Sequence, residues 1–156
     1  MSERIDCYFL LKSREFSVIE GFLNKIVPNK VECSEYYEVP QYSEQPLKTF
    51  KQVKGLMYFL EELNNEEYSI YWSNLDYDNV IKNIMLFYTN DKMVILGISI
   101  AGKFPFDRNV IATFQDLFKL LLAETGCITV EEPPPSNSIE FYKFCSERFN
   151  TSKMII

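Results

Sequence analysis

The sequence predicts an α+β protein, with a mixed, mostly antiparallel sheet and helices packed on it. Three observations carry that reading. The apolar runs "VIKNIMLFYT" (80–89) and "KMVILGISI" (92–100) are joined by Asn90 and Asp91, which tolerate the positive φ of a tight hairpin turn. Other stretches place apolar residues at helical spacing and begin or end on capping residues. The resulting order, β-α-β-α-β-β-β-α-β-α, sets hairpin strands beside helix-connected ones, the pattern of an α+β domain.

Residues 5–12, "IDCYFLLK", read as a strand apolar on both faces and therefore central. Ser13 is placed to cap a helix over 14–27, with Phe16, Ile19, Phe22, Leu23, Ile26 and Val27 on its buried face and Pro28 ending it. "EYYEVPQYS" (35–43) is β-prone, but Pro40 has no N–H to donate and belongs at an edge or bulge. Thr49 and Gln52 have the spacing of a capping box for a helix running to about Leu63. Its stripe would be Phe50, Val53, Met57 and Leu60, and Gly55 weakens it.

"YSIYWSN" (68–74) is a strand. The two hairpin strands that follow are apolar on both faces and are expected mid-sheet. Asp107 is placed to cap a helix whose stripe is Val110, Ile111, Phe114, Leu117, Phe118, Leu121 and Leu122, with Gly126 as its C′ residue. "CITVEE" (127–132) is a strand, and three prolines then fix φ and give a stiff, extended exit. Asn137 and Glu140 form an N-x-x-E start for a last helix over Ser138–Arg148. No repeat or linker divides the chain, so residues 1–156 are expected to form one domain.

No apolar run approaches the ~18 residues of a membrane span, and the N-terminus lacks the pattern of a secretory signal. Cys7, Cys33, Cys127 and Cys145 include no C-x-x-C pair, and the chain has no histidine. Reduced thiols, no metal or other cofactor, and a cytoplasmic location are the expectation. The net charge is −6, which makes nucleic acid a poor partner. The excess is local: residues 61–91 hold seven acids (Glu61, Glu62, Glu66, Glu67, Asp76, Asp78 and Asp91) against Lys82 alone.

The absence of histidine excludes Ser-His-Asp, Cys-His and H-E-x-x-H chemistry, and no phosphate-binding glycine loop is present. "NLDYDN" (74–79) fails as a calcium loop, with Asn79 where glycine is needed and Met85 where glutamate is needed. Catalysis by the pairs Asp76/Asp78 and Glu131/Glu132, with Mg²⁺, remains as an alternative, and so does a homodimeric structural subunit. Partner binding is favoured because tyrosine and tryptophan interleave with acids from Glu66 to Asp78. Such residues make interface hot spots and steer a basic partner. The candidate contact residues are Glu66, Glu67, Trp72, Asp76, Tyr77 and Asp78, with Glu131 and Glu132 if the sheet brings them close; Trp72 fits a core position equally well.

Three segments, "YWSN" with Asp76, "MLFYTNDKMVILGIS" and "TVEEPPPSNSIEFYKFC", together resemble the small cytoplasmic immunity proteins of bacterial polymorphic-toxin and contact-dependent inhibition systems. The resemblance covers residues 68–148. It rests on the tryptophan strand, on Thr89, Asp91 and Gly97 of the hairpin, and on the corner from Glu131 to Pro135. Lys92 departs from it, standing where a glycine is the familiar hairpin residue. The resemblance implies a non-enzymatic protein, monomeric or dimeric, that binds one toxin and blocks its active site. The toxins of such systems are often nucleases with basic clefts.

Overall fold

The computed structural model describes residues 3–63, 65–102 and 108–150. Its order is β1 (Glu3–Leu11), α1 (Phe16–Ile26), β2 (Lys30–Glu32), β3 (Tyr37–Val39), β4 (Lys48–Phe50), α2 (Val53–Glu62) and β5 (Tyr68–Asn74). There follow β6 (Ile81–Tyr88), β7 (Val94–Gly102), α3 (Arg108–Leu120), β8 (Thr125–Val130), α4 (Ser138–Ser146) and β9 (Phe149–Asn150). Seven strands form one sheet, β2-β5-β6-β7-β1-β8-β9, while β3 and β4 make a separate two-stranded sheet. Every strand pairing among the described residues is antiparallel. The α+β class holds. The short strands β2, β4 and β9 are additions to the expected order, three residues or fewer and too brief to show a periodicity.

Helices α1, α2 and α3 cover one face of the sheet. Phe16, Ile19 and Leu23 of α1, Leu56 and Leu60 of α2, and Phe114 of α3 share a core with Ile5, Phe9, Ile84, Leu86, Leu96 and Ile98. Helix α4 covers part of the other face, where Phe141 and Cys145 pack with Tyr8, Leu10, Ile95 and Cys127. β1 and β7 are therefore buried on both faces, as their sequences require. Cys7, Cys127 and Cys145 fill core volume and Cys33 is exposed.

Helix ends differ from the expected caps for tertiary reasons. Ser13 Oγ accepts from the Glu15 N–H (3.0 Å), and α1 begins at Phe16, whose N–H donates to Glu61 of α2 at 2.6 Å. A carboxylate from another helix thus meets the positive end of α1. Thr49 pairs with Glu38 across β3 and β4, so the capping box does not form and Gln52 stands at the start of α2 without a side-chain bond. Gly55 leaves room there: a Cβ would lie 3.2 Å from the Phe50 ring. α3 closes on Leu122 in the left-handed region (φ 52°), with Ala123 N–H bonded to Phe118 O, and Leu122 is exposed rather than part of the stripe. Gly126 is instead a residue of β8, where a Cβ would meet the Tyr8 carbonyl at 2.7 Å. The expected cap Asp107 lies outside the described residues. The last helix does start as its sequence indicates, Asn137 Oδ1 accepting from Glu140 N at 2.8 Å.

The hairpin loop has three residues, not two. Thr89 pairs with Met93 through Thr89 N to Met93 O (3.0 Å) and Met93 N to Thr89 Oγ1 (2.9 Å). Lys92 takes the left-handed position at φ 77°, the conformation that closes three-residue hairpins. This is the site where the sequence lacks the expected glycine.

Arg14, missed as a significant residue by the periodicity, ties three elements together. Its guanidinium donates to Leu60 O (3.4 Å) and Leu63 O (2.7 Å) at the end of α2, and to Thr89 O (2.5 Å) and Met93 O (2.9 Å) in the hairpin. It also lies 5.1 Å from the Tyr88 ring centroid. Carbonyls at the negative end of a helix and at a turn are thereby satisfied by one buried cation.

Candidate functional site

β5 alternates strictly. Tyr68, Ile70, Trp72 and Asn74 face the helix-covered core, while Ser69, Tyr71 and Ser73 face the other way. Trp72 is 2% exposed, which corrects its assignment to a contact surface. Its place in the alternation, the inward position that follows Tyr68 and Ile70, was the signal for burial.

The outer edge of β5 is covered in two ways. β2 pairs with Trp72, Ser73 and Asn74, and Cys33 N donates to Tyr71 O at 3.1 Å. The next outward-facing backbone unit, Ser69, is met by a side chain. Gln41 Nε2 donates to Ser69 O and Ser69 N donates to Gln41 Oε1, both at 2.8 Å.

Two grooves flank Gln41 and share Gln41, Tyr42, Tyr68 and Ser69. One, of about 530 Å³, is walled by Glu66, Glu67 and Phe87 and by Pro134 and Pro135. The other, of about 350 Å³, is walled by Glu35, Tyr36, Glu38 and Tyr71. Among the described residues neither lining includes a lysine or arginine, and Tyr42, with 84% of its surface exposed, stands between them. Burial, reinforced by the Glu38 carboxylate, pushes the Tyr68 hydroxyl up to about 12, so it stays a neutral hydrogen-bonding group. Glu67 Oε1 accepts from Asn90 at 2.7 Å, which holds that carboxylate at the rim. Of the expected contact residues, Glu66 and Glu67 therefore share one groove.

The proline corner supplies the opposite wall. β8 ends level with Ile5 and Ile100, whereas Ser136 O accepts from Asn90 N (3.0 Å) at the hairpin end of β7. The six residue steps from Val94 to Ile100 span roughly 20 Å at strand rise. Residues 131–136 cover about 19 Å at the polyproline rise, so the segment is a strap crossing the sheet face. Glu131 starts it in the left-handed region (φ 51°), and the Tyr8 hydroxyl donates to Glu132 O at 2.5 Å.

Glu132 is tied into the protein while its side chain stays almost half exposed. It accepts from Arg148 Nη2 at 2.6 Å and from the Thr129 hydroxyl, bonds that hold its carboxyl at about 2. Glu131 is exposed and accepts from Arg4 N at 3.5 Å. Asp76, Tyr77 and Asp78 are exposed on the β5–β6 turn, beside Leu75 and Val80, which are also exposed. That turn and Glu66 lie at opposite ends of β5, roughly 25 Å apart at strand rise. The acidic segment is thus two separate surfaces. Three strand spacings, roughly 14 Å, also separate the start of β6 from the end of β8. Asp76 and Asp78 are consequently set at the turn before β6, apart from Glu131 and Glu132 at the end of β8. Among the described residues, no cluster of three or more acids and cysteines is placed to hold a metal ion. Nor does any described helix have the length and apolarity to cross a membrane.

Fold and site together define an antiparallel α+β protein with an acidic, tyrosine-walled groove along one strand edge. The chain matches no known protein family, no curated protein and no solved structure.

Proposed function

We propose that this protein is a non-catalytic binding protein of the immunity type, which neutralises a basic protein partner by covering its working surface. The carrying observation is the pair of joined grooves, lined by Glu35, Glu38, Glu66 and Glu67 with tyrosines between them and, among the described residues, no cation. Tyrosine offers wide contact area at little entropic cost, and one-signed acidic walls accelerate the approach of a lysine- or arginine-rich surface. The resemblance of residues 68–148 to immunity proteins supports a toxin as that partner, and a nuclease with a basic cleft is the class that fits the charge.

The test is capture of the partner from the source cell on the immobilised chain, followed by association kinetics. The double variant Glu66→Lys, Glu67→Lys is expected to slow association by about tenfold or more and to flatten its salt dependence. Asp76→Lys, Asp78→Lys, roughly 25 Å away along β5, should act more weakly, through long-range steering alone. Unchanged kinetics in the Glu66, Glu67 variant would remove the groove as the contact.

A further inference from the structure

The Gln41–Ser69 pair says more about what enters the groove. β2 runs antiparallel along β5 as far as Cys33, opposite Tyr71, and then leaves the edge. The next pairing position, two residues along, is Ser69. Its donor and acceptor both face outward, and both are taken by one side-chain amide with the geometry of a backbone peptide unit, 2.8 Å in each direction. Gln41 thus mimics one residue of a neighbouring strand. An uncovered strand edge is a template for pairing with another chain, and proteins usually block it with a charge, a proline or a bulge. Here the block is a neutral amide on a single flexible side chain, flanked by Pro40 and by Tyr42 in the left-handed region (φ 63°). Both grooves border this block, each having Gln41 and Ser69 in its wall.

We infer that the groove's occupant is an extended, basic segment of the protein partner, which pairs with the backbone of Ser69 on the edge of β5 and takes the place held by the Gln41 amide. The inference rests on the binding function proposed above and adds how the partner is held. Main-chain hydrogen bonds give such a strand its affinity, and alternate side chains read the walls. Side chains at every second position would lie along the sheet face toward Glu66, Glu67 and the prolines, or along the opposite side toward Glu35 and Glu38. Arginine or lysine at those positions meets carboxylates, and apolar residues meet Tyr42, Phe87 and Pro134.

Two synthetic pools test this by fluorescence anisotropy at low salt. One holds ten-residue peptides alternating arginine with apolar residues; the other is the same pool with every backbone nitrogen methylated. The unmethylated pool is expected to bind and to shift the Ser69 amide resonance, while the methylated pool binds at least tenfold more weakly. Gln41→Ala removes the internal competitor and is expected to tighten binding about tenfold, since two hydrogen bonds need no longer be broken. Gln41→Met, which keeps the bulk without the amide, should act in the same direction and serves if the alanine variant folds poorly. Equal binding of the two pools overturns the strand-pairing inference and leaves the basic-partner reading standing. Weaker binding by both Gln41 variants also overturns it, because Gln41 would then be part of the floor. No binding of either pool overturns the basic-partner reading itself, and the inference with it.

Discussion

Asp91, at the tip of the β6–β7 hairpin, accepts the backbone N–H of Ser138 at 3.0 and 3.1 Å through its two oxygens, and the Ser138 hydroxyl at 2.5 Å. A carboxylate from the middle of the sheet therefore caps the first turn of α4, 47 residues away in sequence. With the Asn90–Ser136 bond it fixes the far end of the proline strap, and so one wall of the groove.

Asp91→Ala is expected to destabilise the protein by about 1–2 kcal/mol, the range for losing charge-assisted bonds at a partly buried site. Burial opposes ionisation of Asp91, yet the bonds from Ser138 and Thr89 outweigh it and hold its pKa below the ordinary carboxylate value. Hydrogen exchange should rise selectively in α4 and residues 133–138. Exchange rising uniformly through the sheet would contradict this local role.

Lys92→Gly is expected to stabilise. A side chain at φ 77° costs about 1–2 kcal/mol, and the entropy glycine loses on folding returns roughly half of that. A rise in Tm of about 2–3 °C follows for a chain of this size. Leu122→Gly, at φ 52° and mostly exposed, should behave alike. A fall in Tm for both would show that side-chain contacts, not backbone strain, govern these turns.

The Glu132–Arg148 pair predicts a pH dependence. The Arg148 and Thr129 bonds depress the Glu132 pKa from 4.5 to about 2 in the folded state. A depressed pKa gives stability that is present above about pH 4.5 and lost as pH falls toward 2. Denaturant titrations at pH 6 and pH 2.5 should therefore show a smaller acid loss in Glu132→Gln than in the parent. Glu132 is almost half exposed, so solvent screening keeps the effect modest. Identical acid sensitivity would remove this pair as a contributor.

Arg14→Met should be the most damaging of these substitutions, at about 3–5 kcal/mol, because four carbonyls lose one shared donor group inside the protein. Arg14→Lys keeps the charge but not the planar fork, and one ammonium cannot serve the α2 end and the hairpin together. Urea midpoints should order parent, lysine, methionine from most to least stable. Parity of the lysine variant with the parent would show that charge alone suffices.

Elements whose stability is local were legible from the chain. β5 spans Tyr68–Asn74 as its alternation indicates, β1 and β7 are buried on both faces, and Asn137 caps α4. The candidate site was legible only at Glu66 and Glu67. Trp72 belongs to the core, as the alternation of β5 indicates, whereas the bond of Glu132 to Arg148 shows in no window of neighbours. The groove residues Gln41, Tyr42 and Glu38 lie in "EYYEVPQYS", whose only visible signal was a tyrosine-rich, acidic stretch interrupted by proline.

Periodicity, capping pairs and charge count depend on residues within a few positions of one another, and these the sequence determined by itself: an acidic α+β chain without histidine, its main strands and the start of its last helix. Tertiary structure decided what depends on partners far along the chain. Glu61 capping α1, Arg14 bridging α2 and the hairpin, the strap crossing the sheet and Gln41 covering Ser69 all join residues 28 or more positions apart. Such contacts carry no local periodicity, because the energy that selects them appears only after the sheet has brought the two groups together.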